Sequence, residues 1–409
     1  MVRIAHASAL CAAFGVLCGC ASAPRLPPPP ELAPRAAPAG FPPDIRLLTI
    51  DRATYNRRMP VVFGRLAQAA DDGSIDYLVL SGGGSGGAFG AGALVGLTQV
   101  RQRPQFEVVT GVSAGALLAP FAFLGPEWDP ELKAAFDGNP RLDLMHGKLR
   151  TVIARLFFPG GATRHSALQR LVDHYVTDAM LQAVAAGWRK GRLLFVATTD
   201  LDKRETVLWN MGEIAAQGGK PALKLFREVL VASASVPGIF PPVLIQVRED
   251  GRDYDEMHVD GSITTSLFAA PHVAQLLPAG KAGRLPVNLY VIVNGKLAQK
   301  PLETPLNTID VLSRSFDADL TYKMRESLLL AMDYAHRQHM RFRLTEIPPA
   351  YPKAGFVDFS PEHMHALFDF GARCAERGEL WETPEDSIRH NLARAAESGA
   401  LAESCPAAP

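Results

Sequence analysis

The sequence predicts an α/β fold with a mainly parallel sheet and helices on both faces. Two strand–turn–helix units carry this prediction. In the first, the apolar run at 77–80 leads into a glycine-rich turn and a helical run of small residues at 88–100. In the second, the β-branched run at 106–110 leads through a sharp turn into an Ala/Leu-rich run. Such alternation is typical of parallel sheets that helices cover on both sides.

The second turn has the pattern of a nucleophile elbow, Gly111-Val112-Ser113-Ala114-Gly115. Gly111 and Gly115 are required because a side chain at either place would collide with the neighbouring strand or helix. The Ser113 hydroxyl would then project above the sheet edge, beside a helix N-terminus whose free N–H groups can stabilise an anion. The pattern therefore predicts that Ser113 is a nucleophile.

The first turn is a run of glycines, Ser81–Gly87, with three interpretations. As Gly82-x-Gly84-x-x-Gly87 it matches the dinucleotide fingerprint, but the next strand lacks the acidic residue at its end that such a site needs. It also matches the elbow pattern around Ser85, although so many glycines favour exposed N–H groups over a fixed nucleophile. We predict the third, an oxyanion loop beside the elbow at the same sheet edge.

The N-terminus is predicted to be a targeting segment. A short basic stretch precedes an apolar run at 7–17, which is too short to span a membrane and is typical of a secretory signal. The ending Leu17-Cys18-Gly19-Cys20 resembles a bacterial lipoprotein box and predicts that Cys20 carries the lipid. The alternative is an ordinary secretory signal that is cleaved near Ala21 or Ala23.

The predicted organisation has five segments: a signal peptide at 1–19, a Pro-rich linker at 20–45, a partly helical lead-in at 46–75, the catalytic domain at 76–294 and a mostly helical C-terminal extension at 295–409 that packs on the core. The linker is expected to stay extended as a spacer between anchor and domain. Cys374 and Cys405 remain after the signal. They could pair in an oxidising envelope, but a helical cysteine and a tail cysteine are expected to stay unpaired.

Further simple elements are predicted along the chain: a strand at 193–198, a hairpin turn at 202–205, a strand at 287–293, a helix at 311–340, an edge strand at 341–345, a helix at 361–377 and a weakly helical tail after Pro384. The stretch 149–157 has apolar residues at helical spacing with basic residues between them. It is predicted to face the core, the alternative being an interfacial or lid helix.

Charge and composition exclude several function classes. Lys+Arg and Asp+Glu are equal at 42 each, so the basic surplus of a nucleic-acid-binding protein is missing. No His/Cys/Asp cluster has the spacing of metal ligands, so no metal is expected. No cofactor is expected either, and the sequence does not indicate a protein partner.

Four blocks in one order resemble the patatin-like phospholipase family. They are the glycine loop, the elbow, the segment Ala232–Pro242 and Val259-Asp260-Gly261-Ser262. The resemblance covers roughly residues 76–293. It implies a three-layer α/β/α fold and a Ser–Asp dyad without histidine. It also implies hydrolysis of carboxylic esters in membrane lipids, of the phospholipase A or lysophospholipase type.

The resemblance also assigns roles to single residues. Ser113 would be the nucleophile and Asp260, followed by Gly261, the base that activates it. The site should be partly desolvated so that the aspartate is basic enough. The oxyanion would bind the N–H groups of Gly83, Gly84 and Gly86, in a loop that Gly82 and Gly87 complete.

Two residues depart from the family pattern. Gly86 stands where the family usually has Arg or Lys, so the basic side chain is lost while the N–H remains. Ser262 stands where the family has Gly or Ala, and little effect on the aspartate is expected. The loss at Gly86 is the one feature that favours a catalytically silent lipid-binding lipoprotein over an enzyme.

A second alternative is an α/β-hydrolase esterase with a Ser–Asp–His triad. Its histidine would be one of His272, His336, His339, His363, His365 and His390, none of which lies in a distinctive motif. His258 would share a strand face with Asp260 and is predicted to be structural.

The predicted location is the bacterial cell envelope, with the domain held by its lipid anchor. Ala21-Ser22 lacks the aspartate that retains some lipoproteins in the inner membrane, which favours the outer membrane. Secretion or a periplasmic location is the alternative.

Overall fold

A computed structural model describes residues 25–48, 52–138, 166–268, 285–299, 301, 303–352, 358–396 and 404–407. Within them, ten strands form one sheet. The strands are β1 Ala37–Pro38, β2 Arg46–Leu48, β3 Ile75–Leu80, β4 Val108–Val112, β5 Leu193–Asp200, β6 Glu205–Asn210, β7 Val243–Glu249, β8 Arg252–Asp260, β9 Val287–Val293 and β10 Arg341–Glu346.

The helices of the described residues precede, connect and follow these strands. They are α1 Arg52–Ala69, α2 Gly87–Gln99, α3 Ala114–Leu124, α4 Asp129–Phe136, α5 Ala167–Tyr175, α6 Asp178–Arg189, α7 Met211–Gln217, α8 Gly219–Ser233, α9 Thr308–Arg337, α10 Pro361–Glu376 and α11 Pro384–Ala396. None of the helices so described is long and apolar enough to cross a membrane.

The centre of the sheet is parallel, in the order β5-β4-β3-β9-β10. Strands β6 and β8 both pair with β5 in the antiparallel sense. Val112 at the end of β4 is in register with Ala197, and the next residue of β5, Thr198, is in register with Asp260. The sheet therefore brings the elbow and the aspartate to one edge.

Helices cover both faces of this sheet and give three layers. Buried side chains of α2, α3, α8 and α10 form one core with it. The C-terminal half of α9 forms the other core, where Met324, Leu328 and Ala331 are buried. Burial on both faces explains why the central strands are apolar runs and not alternating patterns. The predicted α/β/α class is confirmed.

The simple elements predicted from the sequence are present. The strand at 287–293, the hairpin turn after β5 and the helices at 311–340 and 361–377 appear as predicted, within a few residues. Strand β10 lies at the edge of the sheet and pairs with β9. Residue 294 is therefore not a boundary of the sheet. The amphipathic stretch at 149–157 lies outside the described residues.

The predicted spacer is wrong for its described part, residues 25–45. Strand β1 pairs with β7, and Ala36 is buried against Val247 and Tyr254. Just beyond it, the buried Arg46 forms an ion pair with Glu256. The Pro-rich chain thus adds a strand to the sheet and makes apolar contacts with β7 and β8.

The expectation that the two cysteines stay unpaired is also wrong. Cys374 in α10 and Cys405 form a disulfide, with their Cα atoms 5.4 Å apart. The tail returns to the core, where Ala407 N–H donates to the Glu379 carbonyl at 2.9 Å. Cys405 is buried there, beside α10.

Candidate active site

Ser113 stands at the apex of a strained turn between β4 and α3. Its φ of 54° and ψ of −122° lie in a region that non-glycine residues rarely adopt. A Cβ on Gly111 would lie 2.7 Å from the carbonyl carbon of Gly115, and one on Gly115 would lie 2.6 Å from that of Leu80. Both glycines are therefore required by the close approach of backbone, and the geometry is that of a nucleophile elbow.

The Ser113 hydroxyl meets the carboxylate of Asp260. Ser113 Oγ donates to Asp260 Oδ2 at 2.6 Å, and the N–H of Ser262 donates to Asp260 Oδ1 at 2.8 Å. Both dyad residues are buried, Ser113 being 3% and Asp260 1% exposed. Burial raises the pKa of Asp260 to about 6, against hydrogen bonds from Ser113 and Ser262 that lower it.

Two serines of the 232–242 block hold the elbow and the aspartate together. Ser233 Oγ accepts a hydrogen bond from Ser113 N–H at 3.0 Å and donates to the Ala197 carbonyl at 2.7 Å. The backbone carbonyl of Ser235 accepts from Asp260 N–H at 3.0 Å. In the sequence this block is similar to a block of the family, but no role is predicted for its serines.

The glycine loop lies at the same edge and leads into α2. Residues Gly84–Gly86 form a short 3-10 turn, and Gly84 has a φ of 56°. The N–H of Gly86 donates to the Gly83 carbonyl at 3.0 Å, so this predicted oxyanion donor is already engaged within the turn. The N–H groups of Gly83 and Gly84 have no partner within the described part of the chain.

Asn294, at the end of β9, is a residue that the sequence analysis missed. Its N–H donates to Ser81 Oγ at 2.9 Å and its Nδ2 to the Ser81 carbonyl at 2.8 Å, at the base of the glycine loop. Its own carbonyl fills the space beside Gly83 and Gly86. A side chain at Gly86 would overlap it. No sequence motif marks Asn294.

The histidines described here lie away from the dyad. His258 is buried, with Nδ1 3.0 Å from Thr198 Oγ1 and Nε2 3.4 Å from Glu256 Oε2. His365 bonds to Asp137 and Asp369, and His390 to Glu382. No histidine of the described residues is within hydrogen-bond distance of Ser113 or Asp260. His272 lies outside them.

The fold gathers two acid–histidine clusters that sequence spacing did not reveal: Asp137 with His365 and Asp369, and Asp200 with Glu256 and His258. The second is buried and already neutralised, because Arg46 and Lys203 pair with Glu256 while Lys203 also pairs with Asp200. Burial raises the pKa of Glu256, but Arg46 and the hydrogen bonds outweigh it and hold that pKa below its usual value. The carboxylates of this cluster thus have cationic partners in Arg46 and Lys203.

Fold and site together define an α/β protein with a serine–carboxylate pair at a nucleophile elbow. Residues 78–271 match the family model of the patatin-like phospholipases. The matched region contains both Ser113 and Asp260. The family match supports a lipid acyl hydrolase activity for this part of the chain.

Two solved structures are similar to this chain in part. VipD from Legionella pneumophila is 13% identical over 78% of this chain and 70% of its own, with a TM-score of 0.31. Human GIVD cytosolic phospholipase A2 is 11% identical over 86% of this chain and 66% of its own, with a TM-score of 0.38. Similarity this low adds nothing to the family match. No curated protein matches the chain by sequence.

Proposed function

We propose that the chain is a serine acyl hydrolase that cleaves carboxylic ester bonds of membrane lipids through a Ser113–Asp260 dyad. The observation that carries the proposal is the 2.6 Å hydrogen bond from Ser113 Oγ to Asp260 Oδ2 at a strained elbow. A buried carboxylate that accepts from a buried hydroxyl is the arrangement in which a base can activate a nucleophile.

Asp260 removes the proton of Ser113 as Ser113 Oγ attacks the ester carbonyl. The tetrahedral oxyanion is stabilised by the N–H groups of Gly83 and Gly84 and by the N-terminal end of α2. The alcohol leaves with the proton that Asp260 returns, and an acyl ester on Ser113 remains. Water, deprotonated by Asp260, then releases the fatty acid and restores the serine.

Desolvation makes an aspartate strong enough for this task. With a pKa of about 6, Asp260 is mostly ionised at pH 7 and yet more basic than an exposed carboxylate. The described residues place no charged side chain on the carboxylate, so burial and hydrogen bonds set its strength.

The substrate proposed is a phospholipid or lysophospholipid, and the proposed site of action is a bacterial envelope membrane. Arg25 pairs with Asp202 in the hairpin beyond β5, on the side of the sheet where β4 ends at the elbow. Four residues lie between Cys20 and Arg25, and the five residue steps reach at most about 18 Å. A lipid on Cys20 would hold this side of the domain close to the bilayer.

A fluorophosphonate probe tests the dyad directly. The chain from Ala21 onward is labelled and the adduct located by mass spectrometry, with Ser113→Ala and Asp260→Asn as matched variants. Labelling of Ser113 that Asp260→Asn abolishes is the expected result. Labelling of Ser85 in place of Ser113, or full labelling of Asp260→Asn, would refute the dyad.

The substrate and the anchor need separate experiments. Fatty-acid release from phosphatidylcholine vesicles and from lysophosphatidylcholine micelles, with Ser113→Ala as the blank, separates the two lipid classes. Radiolabelled palmitate should appear in the full chain and not in Cys20→Ala, which would fractionate with the periplasm. Equal membrane recovery of both proteins would contradict the anchor.

A further inference from the structure

Helix α9 is longer than the strands against which it packs. Its 30 residues extend about 45 Å, whereas the strands β9 and β10 span only about 20–25 Å. Residues 338–340 connect its C-terminal end to the start of β10, at the edge of the sheet opposite the elbow. About 20 Å of the helix therefore projects beyond the edge at which β4 ends in Ser113.

Two hydrogen bonds show where α9 passes this edge. Lys323 Nζ donates to the carbonyl of Ile263 at 3.0 Å, in the short turn that directly follows Asp260. Arg325 Nε donates to the carbonyl of Leu297 at 2.6 Å, beyond the end of β9. The part of the helix before Lys323 thus lies on the outer side of the edge that carries the dyad.

The projecting part of α9 has an exposed apolar stripe. From 310 to 322 no described side chain is buried, whereas Met324 and Leu328 in the second half belong to the core. Leu312 is 63% exposed, and Phe316 and Leu320 follow it at four-residue spacing as half-buried side chains. Residues four apart lie on one face of a helix, so these three form one stripe. We call residues 306–322 the α9 tip, whose other exposed large hydrophobic residues are Leu306, Val311 and Tyr322.

We infer that the α9 tip is a membrane-binding surface that inserts its apolar side chains into a bilayer and brings the Ser113 edge onto it. The inference rests on the proposed hydrolysis of membrane lipids, because such a substrate has to reach the dyad from this edge. The predicted anchor lies on the same side, since Arg25 pairs with Asp202 in the hairpin beyond β5. Exposed apolar side chains on an amphipathic helix can bury themselves at the boundary between headgroups and acyl chains.

The charges of the α9 tip decide which lipid surface it fits. Asp310, Asp317 and Asp319 outnumber its one basic residue, Arg314. Lys323, just beyond the tip, pairs with Asp319. An acidic excess is not attracted to anionic headgroups, so the apolar side chains have to supply the binding free energy. The α9 tip therefore fits a zwitterionic bilayer, and its binding should change little with salt.

Vesicle binding tests this surface without requiring catalysis. The chain from Ala21 keeps every described residue and lacks the lipid, and Ser113→Ala keeps the vesicles intact. Its partition onto phosphatidylcholine vesicles is measured by co-flotation, with and without phosphatidylglycerol and at low and high salt. Leu312→Ser in this protein should weaken the partition at least about tenfold, because burying one leucine side chain contributes a factor of that order.

Leu329→Ser is the matched control. Leu329 is on the same helix and is 57% exposed, but it lies about 25 Å from Leu312, in the half that packs on the core. This variant should keep the partition of its parent. An equal loss in the two variants would overturn the inference, as would a parent protein that does not bind. Binding that needs phosphatidylglycerol and disappears at high salt would also overturn it.

A fluorophore on Leu312→Cys distinguishes a bilayer from a second copy of the chain. Cys374 and Cys405 are joined in a disulfide, so the new thiol reacts alone in the chain from Ala21. A nitrobenzoxadiazole label there should shift to the blue on phosphatidylcholine vesicles and be quenched by brominated acyl chains, and on Leu329→Cys it should do neither. A blue shift without vesicles that grows with protein concentration would assign the stripe to a dimer and overturn the inference.

The outcomes separate this inference from the proposed function. Vesicle binding that depends on Leu312, in a protein whose Ser113 takes no fluorophosphonate, would support the membrane surface and refute the dyad. Labelling of Ser113, together with vesicle binding that Leu312→Ser leaves unchanged, would support the dyad and refute the role of the α9 tip.

Discussion

The carbonyl of Asn294 occupies the space that a side chain at position 86 would need. A Cβ on Gly86 would overlap the carbonyl oxygen and lie 2.9 Å from the carbonyl carbon of Asn294. Real Cβ atoms do not come so close to backbone. The position of the Asn294 carbonyl is therefore incompatible with a side chain at position 86 in this structure.

Gly86→Arg, which restores the family's usual residue, should reduce stability and ester hydrolysis. The side chain would have to displace Asn294 or the glycine loop, and such overpacking typically costs about 1–3 kcal/mol. Gly295→Ala is the control, because a Cβ there meets nothing within 4 Å. Thermal melts and p-nitrophenyl butyrate hydrolysis should separate the two variants. A stable Gly86→Arg protein with raised activity would contradict this packing argument.

Asn294→Ala should slow catalysis more than its stability loss explains. The variant removes the Nδ2 donor to the Ser81 carbonyl, which ties the glycine loop to β9. We expect at least a tenfold fall in kcat with little change in KM, because the loop acts on the transition state, and about 1 kcal/mol less stability.

Asn288→Ala provides the comparison on the same strand. Asn288 Nδ2 donates to Asp76 Oδ1 at 2.6 Å, near the opposite end of β9. Its loss should cost similar stability while leaving kcat close to the wild-type value. Equal kcat for the two variants would show that Asn294 has no special relation to the oxyanion loop.

The sequence alone predicts those site residues whose positions follow from local backbone geometry. Gly111 and Gly115 predict the tight turn, and Ser113 lies between them. The contacts of Asn294 with Ser81, more than 200 residues away in the chain, could not be predicted, since an asparagine after a strand has no distinguishing pattern. Roles for Gly83, Gly84 and Gly86 as donors remain a prediction, to which the structure adds that the Gly86 N–H is engaged.

Outside the site, the predictions from sequence are wrong for the Pro-rich segment and for the cysteines, because the placement of both depends on residues far away in the chain. Arg46 and Glu256 pair across 210 positions, and this pairing could not be read from a Pro-rich composition that is typical of free linkers. Cys405 lies in a tail for which the sequence predicts only weak helical structure, and its pairing with Cys374 depends on a contact 31 residues away. In both cases a long-range contact outweighs a weak local preference.

The disulfide should stabilise the C-terminal part of the fold. It closes a loop of 31 residues between α10 and the tail, for which chain entropy predicts about 3–4 kcal/mol. Cys374→Ser/Cys405→Ser should therefore melt at lower temperature than the wild type under oxidising conditions. With dithiothreitol the wild type should approach the variant, whose own melting temperature should not change. Equal melting temperatures without reductant would show that the tail does not contribute.

Asp260 should reduce stability at neutral pH as the cost of its basicity. Its pKa is 3.8 in a model peptide and about 6 in the folded chain. Between these values the folded state binds more protons than the unfolded state, so the free energy of unfolding falls as pH rises from about 4 to about 6. Above that range the loss is constant and amounts to about 1–3 kcal/mol.

Asp260→Asn should accordingly be inactive and yet more stable than the wild type at pH 8, with a smaller difference at pH 4. Asp200→Asn is the contrasting variant, because Asp200 is buried but pairs with Lys203 at 2.9 Å. Removing one partner of a buried pair leaves the other charge uncompensated, so this variant should be less stable than the wild type at pH 8. Urea unfolding at pH 4 and pH 8 measures whether each variant is more or less stable than the wild type. A destabilised Asp260→Asn at pH 8 would mean that its hydrogen bonds outweigh its burial.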